Sequence, residues 1–115
     1  MNPNTILVID DDVDIRESMR DALGDEGYRV VLASNGKEAL DLMPGLRRPY
    51  GIILDITMPV MNGTEFYNRM RAVPDFDDIP VLVLTSDPRR APLGLATMKK
   101  TVNLERMLET VATLF

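Results

Sequence analysis

The 115-residue sequence contains no cysteine and no histidine. Without cysteine there is no disulfide, thiolate nucleophile, thiol redox switch or thiolate zinc site. Without histidine there is no imidazole base, no histidine metal ligand and no histidine phosphotransfer on this chain. Any chemistry must run on carboxylates, hydroxyls, lysines and backbone groups. Long apolar runs are missing as well: nothing approaches the ~20 apolar residues of a membrane helix. The polar start, residues 1–5, lacks the charged and apolar regions of a signal peptide, so cytoplasmic residence with no membrane partner is expected. Nor is there an excess of positive charge. The chain has 13 Lys+Arg against 18 Asp+Glu, a net charge of −5 and a pI of about 4.6. Neutralising phosphates takes a basic face, so nucleic acid is not expected as a partner.

What is present is the composition of one ordinary globular domain, 45% hydrophobic and 27% charged, long enough for a single core. Ile6 to Ile9 is a continuous β-branched and leucine run, the pattern of a strand buried on both faces. Ile15, Met19, Ala22 and Leu23 then share one helical face that closes near Gly24 and Gly27. Tyr28 to Ala33 reads as a second strand. Asn35 with Glu38 forms a capping-box pattern for a helix that Pro44-Gly45 should stop. Tyr50 to Leu54 is a third strand ending on Asp55, and Gly63-Thr64 opens a helix carrying Phe66 and Met70. Val81 to Leu84 is a fourth strand. Asn103 caps a last helix with Leu104, Met107, Leu108, Val111 and Phe115 on one stripe, and Val102 with Met107 is placed for a hydrophobic staple.

Strands alternating with helices imply βαβ units and a parallel sheet covered on both faces. For five strands the flavodoxin-like doubly wound order 2-1-3-4-5 is the simplest arrangement. One stretch is too short for the pattern. Only 14 residues, 86 to 99, separate Thr85 from Lys100, whereas a helix, a strand and two connections need roughly 19 or more. Asp87 and Pro88 resemble a helix start, but Pro92 and Gly94 interrupt it. The expectation is a truncated or absent fourth helix, a single turn or loop, and a short strand around Leu95 to Met98.

In such sheets ligands sit beyond the carboxyl ends of the strands, where the strand order reverses. The first strand ends in Asp10-Asp11-Asp12 and the third in Asp55. Crowded carboxylates suit a hard cation, and magnesium fits few carboxylates completed by water and phosphate oxygens. Taken singly, Asp11, Asp12 and Asp14 could instead cap the following helix. Thr85-Ser86 closes the fourth strand with hydroxyls, and Lys100 follows the fifth. Acids for a metal, one carboxylate as nucleophile, a hydroxyl and a cation make a set for phosphoryl transfer.

The stretches ILVIDDDVDIRE, IILDITMPVMNGTEF and VLVLTS resemble those of the receiver domain of two-component response regulators, in the same order and over nearly the whole chain. The resemblance implies that Asp55 is the phosphoacceptor. It implies that Asp10, Asp11, Asp55 and the Thr57 carbonyl hold Mg2+, and that Thr85, Ser86 and Lys100 contact the phosphoryl group. It implies a phosphohistidine donor, either a sensor histidine kinase or a histidine phosphotransfer protein. Thr57 and Asp87 would flank the approach of the hydrolytic water. The exposed part of the first helix, Arg16, Glu17 and Arg20, would meet the donor.

The departures fall together. Thr101 follows Lys100 where the family has proline with a cis bond, so a trans bond is expected. Thr97 stands at the position of the switch aromatic, and Asn62 replaces the usual aspartate before Gly63. The expected protein is therefore a single receiver domain over 1–115 with no effector domain. It would be a signalling module, not an enzyme beyond its own phosphorylation and dephosphorylation. Output would pass by contact with a downstream protein or by draining a phosphorelay. Two other readings stand beside it. One is a pseudo-receiver, an interaction module not switched by phosphorylation. The other is a haloacid-dehalogenase-like phosphatase using Asp10 as nucleophile and Asp12 as acid.

Overall fold

A computed structural model describes residues 4–46, 48–100 and 103–115. Five parallel strands form one sheet: β1 Thr5–Ile9, β2 Arg29–Ala33, β3 Gly51–Asp55, β4 Val81–Thr85 and β5 Ala96–Lys99. Their order is β2-β1-β3-β4-β5, the doubly wound flavodoxin-like arrangement. The helices between them are α1 Val13–Asp25, α2 Gly36–Leu42, α3 Gly63–Arg71 and α4 Leu104–Leu114.

The alternation along each strand divides the core between the two faces of the sheet. Leu7, Ile9, Ile52, Leu54 and Val83 pack with Ala39 of α2 and with Phe66 and Met70 of α3. Ile6, Val8, Ile53, Leu82 and Leu84 pack with Met19 and Leu23 of α1 and with Met107 and Val111 of α4. β1, β3 and β4 are buried along their whole length, which is why they read as unbroken apolar runs.

Side-chain caps set where the helices begin. The Asp12 carboxylate accepts from the Asp14 and Ile15 amides at the start of α1. The Asn35 side chain accepts from the Glu38 amide at 2.9 Å, and Glu38 returns a bond to the amide of Ser34, one residue before the cap. Asn62 accepts from the Glu65 amide at 2.9 Å. The asparagine before Gly63 thus begins α3 as an aspartate would. Gly27, at φ +92°, turns the chain out of α1, with the Tyr28 amide returning to the Leu23 carbonyl.

Two expected interruptions are present and one strand boundary shifts. α2 stops before Pro44-Gly45, as expected: it ends at Leu42 with Met43 as its C-cap, and both residues lie in the 3₁₀ turn Met43–Leu46 that follows. A proline in the first turn loses no hydrogen bond there. The fifth strand begins and ends one residue later than Leu95–Met98. The fourth helix is reduced to a 3₁₀ turn, Pro88–Arg90, with the Asp87 side chain accepting from the Arg89 amide and Pro88 in its first positions. The Val102 staple and the Lys100–Thr101 bond fall partly on 101–102, outside the described residues. Among the described residues, no helix is long and apolar enough to cross a membrane.

Candidate functional site

β1 and β3 are neighbours in register, Ile9 opposite Leu54, so the residues that follow them leave the sheet side by side. Asp10 continues β1 by one bond, its amide donating to the Ala33 carbonyl at 3.1 Å. Asp55 ends β3 beside Leu84 of β4. The carboxylates of Asp10, Asp11 and Asp55 each bring one oxygen within 4.8 Å of the others. Asp10 and Asp55 are buried, and Asp11 is exposed. The chain segments that carry these three acids are more than 40 positions apart, and the parallel pairing of β1 with β3 brings them together.

Lys100 enters from the far side. Its amide donates to the Thr85 carbonyl at 3.2 Å, fixing it to the end of β4. From there its Nζ lies 3.1 Å from Asp10 Oδ1 and 3.0 Å from Asp55 Oδ2. Burial pushes the Asp55 carboxyl up from 3.8 to about 6; Lys100 opposes this, and Asp10 and Asp11 add to it. Burial also raises Asp10, against the pull of the Asp12 amide and of Lys100. For Lys100, burial works toward a lower value, and its bonds to Asp55 and Asp10 outweigh it, so the ammonium is held above its ordinary range.

An oxygen-only donor set of three carboxylates, two of them desolvated and resisting ionisation, is the chemistry of a hard divalent cation. Lys100 balances one negative charge of the three. These residues therefore fit Mg2+.

The remaining predicted positions vary in their distance from this centre. Thr57 is exposed, and its amide donates to Asp55 Oδ1 at 3.3 Å. Thr85 is fully buried, and its hydroxyl is engaged with the backbone of Asp87, accepting from the amide at 3.1 Å and donating to the carbonyl at 3.3 Å. Ser86 is exposed beside it. Thr97 lies on β5 opposite Val83, and its hydroxyl donates to the Leu95 carbonyl. Asp87 forms a two-point ion pair with Arg89 at 3.0 and 3.2 Å, and Arg89 holds its carboxyl below the usual range.

Arg16 is not a free surface charge beside Glu17 and Arg20. It is half-buried, and its guanidinium donates to the Asp10 carbonyl at 2.7 Å. Asp12, the acid of the phosphatase reading, is taken up as the cap of α1. Sequence reasoning missed Arg90, whose guanidinium donates to the Thr57 hydroxyl at 3.4 Å across the crevice mouth. The signal available for it was the shortened β4–β5 connection, which leaves its basic residues close to the rim.

Sheet order, paired strand-end acids and a bridging lysine together define a receiver. The chain belongs to the response regulator receiver domain family, whose model matches residues 6–111. It is 46% identical over 84 residues to the response regulator MprA of Mycolicibacterium vanbaalenii, covering 73% of this chain and 35% of that protein. MprA of Mycobacterium avium is likewise 46% identical over 81 residues, or 70% and 34% of the two chains. The chain thus spans about a third of the length of these curated relatives.

Among solved structures it is similar to the chemotaxis protein CheY4 of Vibrio cholerae, with a TM-score of 0.85, 32% identity and coverage of 96% and 98% of the two chains. The response regulator TrrA of Thermotoga maritima, solved in complex with Mg(2+)-BeF, gives a TM-score of 0.83, 32% identity and full coverage of both chains. A putative response regulator of Chloroflexus aurantiacus gives 0.88 at 27% identity over 97% of each.

Proposed function

We propose that Asp55 accepts a phosphoryl group from a phosphohistidine of a sensor histidine kinase or a histidine phosphotransfer protein. The modified domain then signals by contact with a downstream protein or passes phosphate along a relay. The observation that carries this reading is the joint placement of Asp10, Asp11 and Asp55 within 4.8 Å, with Lys100 bonded to two of them. The likeness to TrrA, whose structure holds Mg(2+)-BeF, supports the same chemistry here.

In the transfer, an ionised Asp55 oxygen attacks phosphorus in line with the P–N bond. A P–O bond forms as the P–N bond breaks, and the departing imidazole nitrogen keeps the electron pair. Asp10, Asp11, Asp55 and the Thr57 carbonyl would hold Mg2+. When bound, the ion neutralises the acid cluster and offers positive charge to the phosphoryl oxygens. Lys100 keeps its ammonium at Asp55 Oδ2, where a phosphoryl oxygen would take up one of its hydrogen bonds. Burial of Asp10 and Asp55 excludes bulk water from that side and strengthens each of these interactions.

Thr85 can turn its hydroxyl to a phosphoryl oxygen only by giving up its bond to the Asp87 carbonyl. The readout would therefore pass into the Pro88–Arg90 turn, in place of the missing fourth helix and the absent aromatic at Thr97. A domain of this kind, using residues 1–115 as one receiver, would work in the cytoplasm. The test is labelling by a small phosphodonor with magnesium. Wild type takes up one phosphoryl group per chain, Asp55→Asn takes up none, and labelling that persists in the variant removes Asp55 from its role.

A further inference from the structure

Among the described residues four cations border the crevice, and three of them are spoken for. Lys100 bridges two carboxylates, Arg89 is held by Asp87, and Arg16 is bonded to the Asp10 carbonyl. Arg90 forms no ion pair among the described residues; its guanidinium donates to the neutral hydroxyl of Thr57. It is exposed, and it borders a cleft of about 380 Å³ lined by Ile56, Thr57, Met58, Asn62, Thr64 and Arg90.

That lining holds one positive charge, two hydroxyls and an amide, and no carboxylate; Asp87, three residues before Arg90, acts on it only at longer range and is itself ion-paired with Arg89. The cleft meets the acid crevice at Thr57, whose amide is bonded to Asp55. Three carboxylates and one lysine leave the crevice net negative, and a bound Mg2+ would bring it only to neutrality, so a dianion is drawn in only where a further cation receives it. The cleft provides that cation, hydrogen-bond donors in a concave wall, and a volume in the range of small-molecule sites.

We propose that the Arg90 cleft is a reception subsite for the phosphoryl dianion of a small phosphodonor, holding it beside Asp55 before transfer. The proposal rests on Asp55 as acceptor. With phosphoramidate as donor, the P–N bond breaks and a P–O bond forms to Asp55. The nitrogen takes a proton and leaves as ammonia. Arg90 binds the dianion and takes no part in the bond changes, so its removal weakens half-saturation and leaves the rate at saturation nearly unchanged.

The experiment is a phosphoramidate concentration series on the full chain with saturating magnesium. In Arg90→Ala the half-saturating concentration rises roughly three- to tenfold, the scale of one charge-assisted hydrogen bond open to water. Arg90→Lys recovers part of it and Arg90→Glu exceeds the alanine variant. Inorganic phosphate inhibits wild type competitively and inhibits Arg90→Ala less. An unchanged half-saturation in both Arg90→Ala and Arg90→Glu overturns the subsite, and so does a loss confined to the saturated rate.

Inorganic phosphate is also titrated against Asp55→Asn with the Arg90 side-chain NMR signals as readout. Movement of those signals supports the subsite even if another residue accepts the phosphoryl group. Their failure to move, with labelling still lost, overturns the subsite and leaves the acceptor in place.

Discussion

Lys100 Nζ lies 3.0 Å from Asp55 Oδ2 across two strands of the sheet and 45 positions of sequence. The same nitrogen serves Asp10, so one partly exposed ammonium compensates two nearly dry carboxylates. Removing it leaves both without a counter-charge. Lys100→Met should lower stability at neutral pH by about 2 kcal/mol, below the usual range for breaking a buried pair because the lysine retains contact with water. Denaturant unfolding with and without magnesium checks this: the loss should shrink when the cation is saturating.

The pH dependence follows from Asp55. Its folded value of about 6 lies above its ordinary 3.8, so the folded state holds the proton more tightly than the unfolded chain. This contribution to stability is fully present below about pH 4 and is lost as pH rises through about 6. Metal-free Asp55→Asn, which mimics the neutral acid, should therefore be more stable than wild type at pH 7. The gain is on the order of 2 kcal/mol, and it should close toward pH 4. Thermal melts across that range in chelator read the gap directly.

Asp11 is the exposed member of the acid cluster and caps no helix among the described residues. Asp11→Asn should fold as wild type does and lose most of the stabilisation that magnesium gives. At one hundred times the dissociation constant that stabilisation is about 2.7 kcal/mol. A melting series against magnesium concentration, run on both proteins, separates the curves.

Gly63 holds α3 against the end of β3. A Cβ there would come within 2.2 Å of the Asp55 carbonyl oxygen and 2.8 Å of Ile56 Cα, both backbone atoms that cannot give way. Gly63→Ala should cost about 2 kcal/mol or more and slow labelling by shifting the Asp55 rim, measured by unfolding and by phosphodonor kinetics on the same sample. Val60 offers the opposite case. It is a β-branched residue at φ +69° in the loop after β3, mostly exposed, so its side chain contributes little packing. Val60→Gly should raise stability by about 1 kcal/mol by relieving that backbone.

The parts of the site legible in the sequence were those adjoining buried strands. Asp10 and Asp55 directly follow runs whose continuous apolar character fixes their direction, and Lys100 follows the fifth strand. Once the sheet order is granted, their meeting follows from register. The shortened β4–β5 connection was legible by counting residues. Contacts made by long side chains over the rim were not. Arg16 on the Asp10 carbonyl and Arg90 on the Thr57 hydroxyl depend on rotamers and on a turn whose path no periodicity encodes. Pro44-Gly45 was legible as a stop because proline ends α-helices, and α2 does end before it; the 3₁₀ turn that carries both residues onward was not legible.

The most direct measurement locates the phosphoryl group itself. Wild-type protein is labelled with phosphoramidate and magnesium and reduced with borohydride, which converts an aspartyl phosphate to homoserine; its peptides are then sequenced by mass spectrometry. The account predicts homoserine at position 55 alone. Homoserine at position 10, the nucleophile of the phosphatase reading, or at any other aspartate with position 55 intact would contradict it.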